Sequence, residues 1–236
     1  MLKLKYPHER DLRIVFIEEG HKYIINQEEG YTSVTTYIHK LFPTFNPDAV
    51  IEGMMKSHKW NQSPYYGMTA EEIKKQWADK GSSASKEGTK LHQDIEKWYN
   101  EEPVDNTSIE FAYFLNFTDV FPLTPYRTEW MVFDEDRKLC GSIDMTFINE
   151  DGSLDIYDWK RVHKIEKNSK WNQYAIHPDW EHLPHTNFWH YTCQLNLYRT
   201  ILERKYNKVI RGMYLVVLHP SNSQFQRWTL PRIEIE

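Results

Sequence analysis

The hydrophobic and polar positions along the chain change pattern twice. Arg13-Ile-Val-Phe-Ile17 and His21-Lys-Tyr-Ile-Ile25 are apolar runs that flank Glu18-Glu19-Gly20, which predicts a hairpin. Ser33 then stands where a helix cap would, opening a short helix through Leu41 that Pro43 ends. Helical spacing follows at 47–57 and 69–79, with a polar turn at Asn61-Gln-Ser-Pro between them. It is strongest at 85–99, where Leu91, Ile95, Trp98 and Tyr99 recur, and at 108–120, with Phe111, Phe114, Leu115 and Phe117. From 127 the residues become rich in β-branched and aromatic types. Residues 127–133, 139–148 and 153–160 read as successive strands, then 189–206 as a helix, 210–218 as an apolar strand and 224–230 as an edge strand. Helices, a meander, a helix and a strand in that order predict an α/β fold with a mixed central sheet flanked by helices. The stretch 161–188 is longer, more polar and more aromatic than a plain connection needs, as functional loops are.

Composition narrows the class. At 236 residues the chain suits one elaborated domain, and 40% hydrophobic residues suffice for a core. No run reaches the roughly 18 apolar residues of a membrane span, and the first ten residues lack the apolar stretch of a signal peptide. The expectation is a soluble, intracellular protein, in the cytoplasm of a host or bacterium or in an organelle. Two cysteines, Cys140 and Cys193, rule out a disulfide scaffold and a four-cysteine cluster. With 29 Lys+Arg against 34 Asp+Glu the net charge is -5, so nucleic acid could be bound only through a local basic patch.

The sequences Gly141-Ser-Ile-Asp144 and Leu154-Asp-Ile-Tyr-Asp158-Trp-Lys160 meet at the turn Asn149-Glu150-Asp151-Gly152. Alternation puts Asp158 and Lys160 on one face. A two-residue Asp-Gly loop would pair Glu150 with Ser153 and send Asp144 and Asp158 to opposite faces. A three-residue loop with Gly152 left-handed would instead pair Asn149 with Ser153 and set the two aspartates opposite each other, Cβ atoms about 4.5–5.5 Å apart. Two such carboxylates repel unless a cation lies between them, and Mg²⁺, which prefers oxygen ligands, fits. An isolated Asp-x-Lys is short and common, and taken alone it is better explained by two solvated aspartates with a lysine partner.

Further residues add to that pair. In Gly88-Thr-Lys-Leu-His92-Gln-Asp-Ile-Glu96, His92 and Glu96 share a helical face. Glu129 lies on the strand that enters the meander, and Gln194-Leu-Asn-Leu-Tyr198 forms an i, i+4 pair on the last helix. Singly, each has a bland alternative: a core histidine, an edge carboxylate, an ordinary helix face.

Taken in order over residues 88–198, these motifs resemble the PD-(D/E)XK nuclease superfamily, in particular its RecB-like exonuclease branch. That branch carries a helical G-x-x-x-H, a strand Glu, G-x-x-D, D-x-K and Q-x-x-x-Y. Here they read Gly88 to His92, Glu129, Gly141 to Asp144, Asp158-Trp-Lys160, and Gln194 to Tyr198. Ser33-Val-Thr before a helix is also similar to small phage-type and mitochondrial genome maintenance exonucleases, and points to a viral or phage source.

The resemblance implies a restriction-endonuclease-like core over 81–236, with residues 1–80 as a hairpin and helical extension. It implies a DNA exonuclease of repair or recombination in which His92, Asp144, Asp158 and the Trp159 carbonyl hold one or two Mg²⁺ or Mn²⁺ ions. Lys160 would orient the attacking water, its pKa depressed by the neighbouring cation. Glu129 would be an outer ligand or support, Gln194 and Tyr198 would position substrate, and Glu96 would orient His92 or join a surface ion pair. The iron–sulfur cluster of many relatives needs four cysteines, so it is expected to be absent.

Lys160, Arg161, Lys164, Lys167 and Lys170 fall within eleven residues that hold one acid, Glu166. Trp171, Tyr174, Trp180, Phe188, Trp189 and Tyr191 follow. Arg161, Lys164 and Lys167 are therefore candidates for phosphate contacts beside base-stacking aromatics, with single-stranded DNA or frayed duplex ends as partner. Trp189 and Tyr191, close to the last helix, read as core. Within the class the alternative is an endonuclease of the same fold; outside it, a non-catalytic nucleic-acid-binding module. A zinc set of His182, His185, His190 and Cys193 lacks the usual spacings, and Cys193 should face the core.

Overall fold

The structure, a computed structural model, describes residues 1–20 and 22–234. His21, placed by the sequence pattern in the second arm of the hairpin, lies outside them. The chain divides into two compact units, residues 1–43 with 91–236 and residues 44–90.

The larger unit opens with a short helix α1 (Leu2–Lys5) and a hairpin of β1 (Ile14–Ile17) and β2 (Lys22–Ile25). A two-residue strand β3 (Thr32–Ser33) runs straight into α2 (Val34–Leu41), where Ser33 caps the helix by accepting the N–H of Thr36. Residues 1–43 fall in the same compact unit as the main sheet, and β1–β2 form a two-stranded sheet of their own.

The smaller unit holds α3 (Pro47–Met55), capped by Asn46, and most of α4 (Ala70–Tyr99). Thr69 and Glu72 close a capping box at the start of α4. The spacing predicts two helices here, 69–79 and 85–99, but the structure has one helix of 30 residues. Residues 78–87 are all exposed, so no apolar face marks the continuation.

After α4 come α5 (Ile109–Val120), β4 (Thr124–Asp134), β5 (Leu139–Ile148), β6 (Leu154–Lys160), α6 (Asn187–Lys205), β7 (Ile210–Val217) and β8 (Gln226–Thr229). The strands make one mixed sheet ordered β3-β5-β6-β7-β8, with β4 also on β5. β6 and β7 are parallel, β3 is parallel to β5, and the other neighbours are antiparallel. This is the α/β class with a mixed, helix-flanked sheet that the periodicity predicts.

Each face of the sheet has its own core. α2 and α6 cover one with Val34, Ile38, Leu195 and Leu202 against Trp130, Ile156 and Leu215. The last turns of α4 and α5 cover the other, with Ile95, Tyr99, Phe114 and Phe117 against Phe147, Tyr157 and Trp159. Leu115, expected to be an apolar contact, is exposed, whereas Trp98, also partly exposed, packs edge-on against Phe114 at 5.3 Å. No helix among the described residues is long and apolar enough to cross a membrane.

Candidate metal centre

The turn between β5 and β6 sets the geometry. Gly152 is left-handed at φ 80°, its N–H bonds the Asn149 carbonyl, and Asn149 N–H bonds Ser153 O at 2.8 Å. The loop is the three-residue one, and the ladder runs from Ile148 opposite Leu154 to Met145 opposite Tyr157. Asp144 and Asp158 are the next step. There the strands part, and Asp144 Oδ2 accepts the Trp159 N–H at 3.0 Å, a side chain doing what a ladder carbonyl does elsewhere.

Trp159 dictates which way its neighbours point. Its ring is buried edge-on against Phe114 and Phe117, 5.6 and 5.5 Å between centroids. Asp158 and Lys160 therefore face the opposite side, where α6 lies. Asp158 is 3% exposed and divided between two partners: Gln194 Nε2 donates to Oδ1 at 3.3 Å, and Lys160 Nζ stands 2.7 Å from Oδ2. Burial pushes Asp158 up to about 6, because the pull of Lys160 is partly cancelled by Asp144. Burial would lower Lys160, but Asp158 and Asp144 outweigh it and hold the ammonium above its ordinary value.

The helix side brings His92. Its Nε2 lies 2.9 Å from the Trp159 carbonyl, and its Nδ1 lies 3.5 Å from Asp144 Oδ2 and 4.0 Å from Glu129 Oε1. Glu129 reaches this group through an unusual backbone. It has φ 41°, left-handed in the middle of β4, at a cost that an L-residue bears only where its surroundings impose it. Ser142 Oγ donates to its other oxygen at 2.8 Å. Burial first, then Asp144, pushes Glu129 up to about 8.

One ligand atom each from His92, Glu129 and Asp144 lie within 4.8 Å of one another, the only such group of three among the described residues. Asp158, named with the metal ligands by the motif reading, lies outside that trio, bound to Lys160 and Gln194. The Trp159 carbonyl faces His92. Glu96 is half-buried on the next turn of α4, its carboxyl raised by burial and then by Glu102. Tyr198 is buried with its hydroxyl over Gly141: a Cβ there would stand 2.6 Å from it, which accounts for glycine at this place in the motif.

The 161–188 connection divides. Trp180 and Phe188 are core, whereas Trp171 is 82% exposed and Tyr174 is also exposed. Lys164 and Lys170 both pair with Glu166, and Lys167 lies over the rings of Phe188 and Trp228. Arg161, a candidate phosphate contact, is half-buried with its Nε 2.8 Å from Glu110 of α5. His182, His185, His190 and Cys193 form no metal-type group among the described residues, and Cys193 is buried. Sequence reasoning missed Ser142 and Glu110, and read Tyr191, whose ring covers Lys160, only as core. Ser142 stands inside the Gly141–Asp144 motif, and Tyr191 stands three residues before Gln194 on the same helix, so both could have been found there. Glu110 carries no local signal. No protein-family model matches the chain, and a comparison with curated proteins finds no match.

Proposed function

We propose that the chain is a Mg²⁺- or Mn²⁺-dependent deoxyribonuclease with a PD-(D/E)XK core, an exonuclease acting on single-stranded or frayed ends. The observation that carries this reading is the buried Asp158–Lys160 pair beside a histidine-and-carboxylate group of metal-ligand spacing. A structural cation site has no use for an adjacent buried lysine; a site that must hold both a cation and a phosphate does.

The residues fit a hard divalent cation. With Nε2–H of His92 donating to the Trp159 carbonyl, the Nδ1 lone pair faces two carboxylates. Three acceptors turned on one another are stabilised by a cation among them, and two carboxylates with one imidazole suit Mg²⁺ or Mn²⁺. A cation held there supplies Lewis-acid polarisation of the scissile phosphate and a more acidic water. Lys160, 2.7 Å from Asp158, donates to a phosphate oxygen and orients the water. Gln194 fixes Asp158, and Tyr198 against Gly141 fixes β5. Lys164, Lys167 and Lys170 offer phosphate contacts, and Trp171 and Tyr174 offer stacking surfaces for unpaired bases. Substrate must compete with Glu110 for Arg161.

The test is cleavage of end-labelled linear and covalently closed circular DNA, single- and double-stranded, with Mg²⁺, Mn²⁺ or EDTA. Metal-dependent loss of linear DNA alone, abolished by Asp158→Ala, is expected. Cutting of circles moves the assignment to an endonuclease. Binding without cleavage of any substrate leaves a non-catalytic module.

A further inference from the structure

Positions 191, 194 and 198 follow one another at helical spacing along α6, and the motif reading uses only the last two. Tyr191 packs at the margin of the core, half-buried, with its ring centroid 4.9 Å from Lys160 Nζ. Lys160 itself is only 18% exposed. The ammonium thus has a carboxylate on one side and an aromatic face on another.

We propose that Tyr191 is a positioning residue for Lys160: its ring face seats the ammonium and keeps it at Asp158. A lysine side chain has many rotamers, and one ion pair fixes the charge without fixing the stem. A ring face at this distance attracts the cation electrostatically and displaces the water that would weaken the pair. The hydroxyl is not needed for this. The consequence for catalysis rests on the nuclease reading; the seating of Lys160 does not.

Two measurements on the full chain separate them. The first is a stability cycle of Tyr191→Leu, Lys160→Met and the double variant, followed by melting temperature in EDTA. Tyr191→Leu should cost about 2 °C or more beyond its cost in the Lys160→Met background. Additive costs overturn the proposal, whatever the activity. The second is steady-state cleavage. Tyr191→Leu should lower kcat about 5- to 20-fold with KM unmoved, and Tyr191→Phe should restore it. Cleavage by Tyr191→Leu at the wild-type rate, or failure of Tyr191→Phe to restore the loss, also overturns it. If the wild-type chain cleaves nothing while the stability cycle is non-additive, the nuclease reading fails and the seating of Lys160 stands.

Discussion

The β5–β6 hairpin and the connection that leaves it both carry paired charges, in opposite surroundings. In the hairpin the acids are buried: Asp158 against Lys160 at 2.7 Å, and Asp155 against Arg211 at 3.0 Å. In the connection Lys164 and Lys170 meet Glu166 at 3.4 and 3.0 Å from largely exposed positions. The distances are alike and the energies are not. Removing one partner of a buried pair costs roughly 3–5 kcal/mol, because the other charge stays buried; exposed pairs contribute about 0–1 kcal/mol. The hairpin therefore holds charges in a fixed geometry, while the connection presents charges that a ligand can easily take over.

The largest effect tests that contrast directly. Lys160→Met should destabilise the fold by roughly 3 kcal/mol at pH 8 in EDTA, measured by urea unfolding. Asp158, pushed up to about 6, is charged at that pH and loses its counter-charge. The folded chain binds this proton more tightly than the unfolded one, so Asp158 favours the fold at low pH, and that advantage is lost as pH rises through about 6. The cost of Lys160→Met should therefore shrink on going from pH 8 to pH 5. An equal cost at both would mean that Asp158 keeps its charge without Lys160.

Packing around the hairpin gives the next effect. Gly141→Ala sets a methyl 2.6 Å from the Tyr198 hydroxyl and 3.0 Å from its Cε1. About 1–3 kcal/mol should be lost, as in other overpacked cores. Tyr198→Phe in the same chain should recover part of it. No recovery would show that β5, not the hydroxyl, bears the clash.

Glu135 makes ion pairs that lie between the extremes. Burial would raise Glu135, but Arg10 and Arg13 donate to it at 2.7 and 2.8 Å and hold it down to about 2. Arg10 is itself buried, 4.0 Å over the Phe133 ring. The ionised form is favoured by folding, so its contribution is complete above the ordinary carboxylate range and is lost as pH falls through about 2. Glu135→Gln should cost about 1 kcal/mol at pH 7, discounted for its partial exposure, and much less at pH 2.

What the sequence made legible follows the same division. The β5–β6 turn could be read only as a choice between two registers, which the three-residue loop with left-handed Gly152 decides in the structure, whereas Ser33 could be read as a cap because capping is local. The continuity of α4 through Gly81-Ser-Ser-Ala-Ser could not be read, since propensity argues for a break and no buried face argues against it. Glu129 was visible as a carboxylate on a strand, but its φ of 41° was not, because nothing in its neighbours requires it. Arg161 shows the limit most clearly. Within its own segment it is one of a basic cluster, and the carboxylate that claims it belongs to a helix 51 residues earlier. Tertiary partners of charged residues leave no trace in local spacing.

The smallest change in stability should carry the most information about the connection. Glu166 is held below its ordinary value first by its hydrogen bond to Lys170, with Lys164 adding to it, so it neutralises much of the patch beside exposed Trp171. Glu166→Gln should leave the melting temperature unmoved. Both lysines then face solvent without a counter-charge, so binding of single-stranded DNA should tighten at low salt and its logarithmic salt slope should steepen by about one. Arg161→Glu should behave oppositely, destabilising the fold through Glu110 before any effect on binding is read. If Glu166→Gln leaves both affinity and slope unchanged, the lysines of this connection do not meet phosphate, and the stacking surface of Trp171 must serve some ligand without that charge.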